Sequence, residues 1–157
     1  MEAVMTRKSV LGKNVLRNEK GLTLLELLAV IVILGIIAAI AIPSIGGIIK
    51  NSKDKAHYAN AQLIIDSTRL YTTNTSPMKT ETVPISDLVS QGYLDVKPTD
   101  PDSKAQYDDA TSVSVNYDDA TGKYDYTITL VSSSAKTLGT WKEDDLKSGK
   151  AAAINRK

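Results

Sequence analysis

From Leu27 to Ile42 every residue is Leu, Ile, Val, Ala or Gly, and no charge follows until Lys50. As a helix, the stretch from Leu27 to Ile49 is roughly 35 Å long, enough to cross a hydrocarbon layer of about 30 Å. The polar remainder of the chain could not surround so long an apolar rod, so this stretch reads as a membrane helix and not as a soluble core. Past Lys50 the pattern turns amphipathic. Ile45, Ile49, Ala56, Ala59, Leu63 and Leu70 recur at helical spacing, with Lys50, Lys53, Asp54, Lys55, Asn60 and Asp66 at the other positions. The spacing predicts one helix from about Leu22 to Tyr71, roughly 75 Å if straight, whose outer half packs one stripe against a small domain. Pro43 removes a backbone hydrogen bond and crowds residue 39. With Gly35, Gly46 and Gly47 it makes 35–47 the stretch expected to bend or unwind.

The second half of the chain is punctuated. Ser76-Pro77 and Val83-Pro84 predict a loop, and Ile85 to Gln91 a short helix stopped by Gly92. Tyr93 and Leu94 then anchor the chain to the core, and Pro98 to Asp102 forms a turn-rich connection. Ser112–Tyr117 and Lys123–Val131 alternate as strands around the hairpin loop Asp118 to Gly122, and Thr137–Trp141 predicts a third strand. The expected fold is α+β: a long N-terminal helix, its hydrophobic half protruding, packed against a small antiparallel sheet. Residues 143–157 are charged and Ala-containing, and are expected to form a frayed helix or a disordered tail.

Charge changes the picture at the N-terminus. The net charge is +1, but residues 1–21 hold five basic and two acidic side chains, leaving a mildly acidic body. A basic leader thus precedes the apolar helix and holds that end on the cytoplasmic side. An ordinary secretory signal has a shorter apolar core and a small-residue cleavage site after it. Here Gly21 comes before the apolar run, so a cut there removes 1–21 and leaves the helix on the mature chain. The expected organisation is a leader (1–21), a membrane or filament-core helix (22–49), an exported globular domain (50–142) and the tail (143–157).

Glu26 lies among leucines, where a carboxylate costs roughly 2.5–3.5 kcal/mol if central and less near the end. Its near partners in the chain are Lys20 and the amine that cleavage would create at Leu22. Alternatively it is solvated at the interface, near a helix N-terminus. Lys20-Gly21-Leu22-Thr23-Leu24-Leu25-Glu26-Leu27 resembles the signal of type IV prepilins, with Pro43 falling where that family commonly kinks its helix. The resemblance implies cleavage between Gly21 and Leu22 by a prepilin peptidase, methylation at Leu22, and subunit assembly through Leu22 and Glu26. It also implies loss of helix within Gly35, Pro43, Gly46 and Gly47 on assembly. Leu22 departs from the Phe most common there.

No catalytic group stands out. One histidine and no cysteine cannot build an ordinary zinc site or a Cys–His pair. His57 is expected on the polar side of the helix, in solvent. Asp100, Asp102, Asp108, Asp109, Asp118 and Asp119 could offer carboxylates to calcium, but read as solvated turn residues. No phosphate-binding glycine loop occurs, so neither cofactor nor metal is expected and any motor must be a separate ATPase. The expected function is a structural pilus subunit. Its partners would be further copies in a helical filament, the peptidase, an assembly platform and the membrane, with no nucleic acid bound directly. It would reside first in the cell membrane and then in a surface fibre. The competing reading is a pseudopilin of a secretion or DNA-uptake machine.

Overall fold

The computed structural model describes residues 23–75 and 80–156. Helix α1 spans Leu24–Asn74 without interruption at Pro43. It ends almost a turn beyond the expected Tyr71. The chain divides into two compact units at the Ile42–Pro43 junction. In the first, the described helix is uncovered: Leu24, Leu28, Ile33 and Ile40 each expose half or more of their surface.

The second unit joins the rest of α1 to a four-stranded antiparallel sheet of order β1-β2-β3-β4. The strands are β1 (Thr80–Pro84), β2 (Ser112–Asp118), β3 (Lys123–Val131) and β4 (Thr137–Lys142), with short helices α2 (Ile85–Ser90) and α3 (Glu143–Lys147). The predicted hairpin closes as Asp118 pairs with Lys123, and Gly122 supplies the left-handed residue at φ +69°. Gly92, at φ +77°, ends α2, and the amides of Tyr93 and Leu94 turn back onto the Leu88 carbonyl.

The structure corrects the predicted loop at Val83-Pro84. These residues belong to β1, where Val83 pairs with Val113 and faces the core. Pro84 is tolerated because it ends an edge strand, where a missing N–H costs little.

The face of α1 against the sheet also differs from the expected stripe. Leu63 and Leu70 stand exposed, while His57, Ala61, Ile64, Ile65, Thr68 and Tyr71 are buried. The reason is local hydrogen bonding. Ser67, Thr68 and Thr72 donate their hydroxyls to the carbonyls of Leu63, Ile64 and Thr68, four residues back, at 2.8–3.0 Å. A face rich in hydroxyls is thereby made fit for burial. It meets Val113, Val115, Tyr126, Ile128 and Leu130 from the sheet in one core.

Residues 143–156 are not a loose tail. Glu143 is nearly buried and pairs with Arg69 at 2.5 Å and with Lys147, and Ile154 joins the core. The charges that suggested fraying are spent on partners within the domain.

Gly139 has a steric role. A Cβ placed there would lie 2.1 Å from the ring of Trp141, two residues along the strand. Gly139→Ala is therefore expected to displace the indole and destabilise the domain by about 1–3 kcal/mol. Urea unfolding of the full chain in detergent micelles, followed by Trp141 fluorescence, measures this. An unchanged midpoint would show that the ring can move freely.

Candidate functional site

Helix α1 begins with a reciprocal cap. Thr23 donates its amide and its hydroxyl to Glu26 Oε2, at 2.8 and 2.9 Å, and Glu26 returns its own amide to Thr23 Oγ1 at 3.2 Å. This is a capping box, which satisfies backbone donors that a helix start leaves free. The carboxylate that looks misplaced among leucines therefore has a partner within its own turn. The signal is present in the sequence as Thr-x-x-Glu before an apolar run, and it places Glu26 near the helix N-terminus, as the second of the two expectations had it. Oε1 makes none of these capping bonds.

Gly21 and Leu22, the expected cleavage and methylation positions, lie outside the described residues. Gly35, Pro43, Gly46 and Gly47 all sit inside α1. A Cβ at Gly35, Gly46 or Gly47 would meet nothing within 4 Å. Among the described residues, no close contact requires those glycines.

A second constellation was not foreseen. His57, Asp100 and Tyr107 are buried, with Asp102 half-buried beside them. His57 Nδ1 lies 2.7 Å from Tyr107 Oη, and His57 Nε2 lies 3.2 Å from Asp102 Oδ2. Asn60 Nδ2 donates to Tyr107 Oη at 3.3 Å. The tyrosine hydroxyl can then donate to Nδ1 while Nε2–H donates to Asp102, so both ring nitrogens have a partner. Lys53 and Arg156 also contact Asp102, at 3.2 and 2.7 Å. Asp100 turns its own loop, accepting the Asp102 amide at 2.8 Å and the Ser103 hydroxyl at 3.0 Å.

The expectation of a solvated His57 is thus overturned, as is that of a solvated Asp100. Lys53, His57 and Asn60 are spaced so as to share one side of α1, and that side meets the loop of residues 98–107. A polar stripe can be buried when a second segment brings matched polar groups to it. Asp118 behaves as expected of a turn residue, accepting from the Ala120 amide and the Thr121 hydroxyl, which lower its pKa.

Burial raises the pKa of Asp102, but hydrogen bonds from His57, Arg156 and Lys53 outweigh it and bring the group down to about 2. Burial, with the nearby Asp100 and Asp102 charges, pushes Tyr107 up to about 12, against the bond from Asn60. This arrangement stabilises and orients. Its ligand-type atoms, His57 Nε2, Asp100 Oδ1 and Asp102 Oδ2, lie within 4.8 Å of one another. The Asp102 oxygens, however, already meet the two basic side chains.

Residues 16–42 match the prokaryotic N-terminal methylation motif. The chain thus carries the signal sequence of type IV pilin and pseudopilin precursors. Its long helix and four-stranded sheet have the architecture of the pilin fold. No curated protein and no solved structure matches the chain. The motif implies a precursor processed by prepilin peptidase and anchored in a membrane. Among the described residues, α1 is the helix long and apolar enough to cross one.

Because the Asp102 carboxyl is depressed in the folded state, its stabilisation is present above the ordinary pKa near 3.8 and is lost as pH falls towards 2. With the group a quarter exposed, the loss should be about 1–2 kcal/mol. Urea midpoints at about pH 5 and about pH 2.5 should therefore fall further for the wild type than for Asp102→Asn. Equal losses would place the acid sensitivity elsewhere.

Proposed function

We propose that the protein is a structural subunit of a type IV pilus, without catalytic activity, assembled by packing its N-terminal helices in a filament core. The observation that carries this reading is the uncovered apolar half of α1. Its large side chains between Leu24 and Ile42 are at least half exposed, and Glu26 is the single ionisable residue among them. A surface of that size and kind needs lipid or other apolar helices around it. A membrane stores it and a bundle of copies covers it, so passage from one to the other need not expose it to water. The energy for extraction comes from a separate motor ATPase acting through an assembly platform.

Glu26 supports the same reading. Its capping bonds use Oε2, so Oε1 can receive the amine of Leu22 from a neighbouring copy after cleavage. Such a pair would be favoured in a dry core and would set the axial register. The glycines at 35, 46 and 47 can serve either close approach of neighbouring helices or local unwinding near Pro43. A pseudopilin of a secretion or DNA-uptake machine would use the same helix and peptidase. In the pilus reading the mature protein resides in a surface fibre, whereas a pseudopilin would build a short piston.

Mass spectrometry of the mature protein should find Leu22 at its N-terminus, bearing one methyl group. Electron microscopy should find surface fibres that vanish on deletion. Glu26→Gln keeps a capping acceptor but removes the charge. It should be cleaved normally and assemble poorly, whereas normal fibre yield would remove the charge from the mechanism. A wild-type fibre retaining residues 1–21 would overturn the whole reading.

A further inference from the structure

After α3 the chain turns at Gly149, φ +70°, and runs from Lys150 to Arg156 without helix or strand. Its backbone is fastened to the domain by isolated bonds. Tyr58 Oη and Trp141 Nε1 both donate to the Ala152 carbonyl, at 3.2 and 2.7 Å. The Asn155 amide donates to the Leu138 carbonyl of β4 at 2.7 Å. Ile154 is the one fully inserted apolar side chain, with Ala151 partly packed beside it. Ala152, Ala153 and Asn155 stay exposed.

Arg156 closes the segment. Its Nη2 lies 2.6 Å from Asp54 Oδ1 on α1, a close charge contact that is poorly aligned as a hydrogen bond. Its Nε donates to Asp102 Oδ2 at 2.7 Å, on the loop between α2 and β2. One planar fork thus joins three separate parts of the chain, a geometry that lysine cannot reproduce. Without Arg156, Asp54 would lose this charge contact, and Asp102 would keep Lys53 and His57 as its partners among the described residues. The spacing of His57, Asp100 and Asp102 would also admit a divalent cation, but the chain's own guanidinium and ammonium groups take up the Asp102 oxygens.

We propose that residues 150–156 form a releasable strap, latched by Arg156, whose opening uncovers Trp141, Tyr58 and the Leu138 carbonyl while the rest of the domain stays folded. Few apolar contacts hold the strap, so its local opening is easier than global unfolding. Its closure depends on one ion-pair junction whose members are each about a fifth to a quarter exposed. Salt reaches such a junction and weakens it. Gly149 serves as the hinge, since its left-handed backbone is strained for any other residue. This device does not depend on whether the subunit builds a pilus or a pseudopilus.

The test uses the full chain in detergent micelles, with the single tryptophan as reporter. Arg156→Ala should shift Trp141 emission to the red, increase its quenching by iodide, and speed tryptic cleavage after Lys150 by about tenfold, or about 1.4 kcal/mol of easier opening. Far-UV circular dichroism should stay unchanged. Raising salt from about 0.05 to about 1 M should move the wild type in the same direction. Arg156→Lys should fall between the two.

If Arg156→Ala does not fold, native-state hydrogen exchange of the wild type decides. The Asn155 amide should exchange by a salt-promoted opening that spares the amides of β3. Unchanged fluorescence and cleavage in Arg156→Ala would overturn the latch. Exchange of Asn155 only together with β3 would overturn release as a separate event. Opening of the wild type by a chelator would assign the closure to a metal ion and overturn Arg156 as its agent.

Discussion

Packing of α1 residues 57–72 on the sheet is the contact from which the globular unit is organised. It decides which way the helix must be turned, and so which residues the loop of 98–107 and the segment after α3 can reach. Ala61, Ile64 and Ile65 are fully buried in it, opposite Val113, Val115, Ile128 and Leu130. Rotating the helix to bury Leu63 and Leu70 would bring Asp66, the residue between Ile65 and Ser67 on the exposed side, towards that core. Back-bonded hydroxyls at Ser67, Thr68 and Thr72 avoid that cost and leave the charged side in water.

The same orientation creates the buried polar cluster. Once Ile64 and Ile65 face the sheet, His57 lies two turns earlier on nearly the same side and cannot reach solvent. It must then find hydrogen-bond partners, and Tyr107 and Asp102 supply them. Asp102 in turn needs positive neighbours, which come from α1 as Lys53 and from the distant Arg156. Each step follows from the desolvation of the one before it.

The long helix, α2, the hairpin of β2 and β3, and β4 were legible because each rests on a local signal: uniform hydrophobicity, period-2 alternation, or a glycine in a left-handed turn. The prepilin-type signal was legible for the same reason, as a contiguous motif. β1 was missed because Val83-Pro84 reads as punctuation until β2 offers it an edge. The buried face of α1 was missed because threonine and serine hide their hydroxyls only in the folded helix. The His57 cluster joins residues about 45 to 100 positions apart. No periodicity within α1 or within the loop encodes that meeting, and the Asp100 and Asp102 carboxylates look like ordinary turn residues when read alone.

The hydroxyl-rich face of α1 bears on how a membrane would read the two halves of the helix. A helix face built from Leu or Ile at positions 67, 68 and 72 would give the segment beyond Lys50 a hydrophobicity closer to that of Leu27–Ile49. Insertion machinery weighs a segment before its tertiary partners exist, residue by residue. In the topology proposed above, Ser67, Thr68 and Thr72 would let one continuous helix partition in two ways, its first half held in the bilayer and its second passing through as polar chain, to be buried only after crossing.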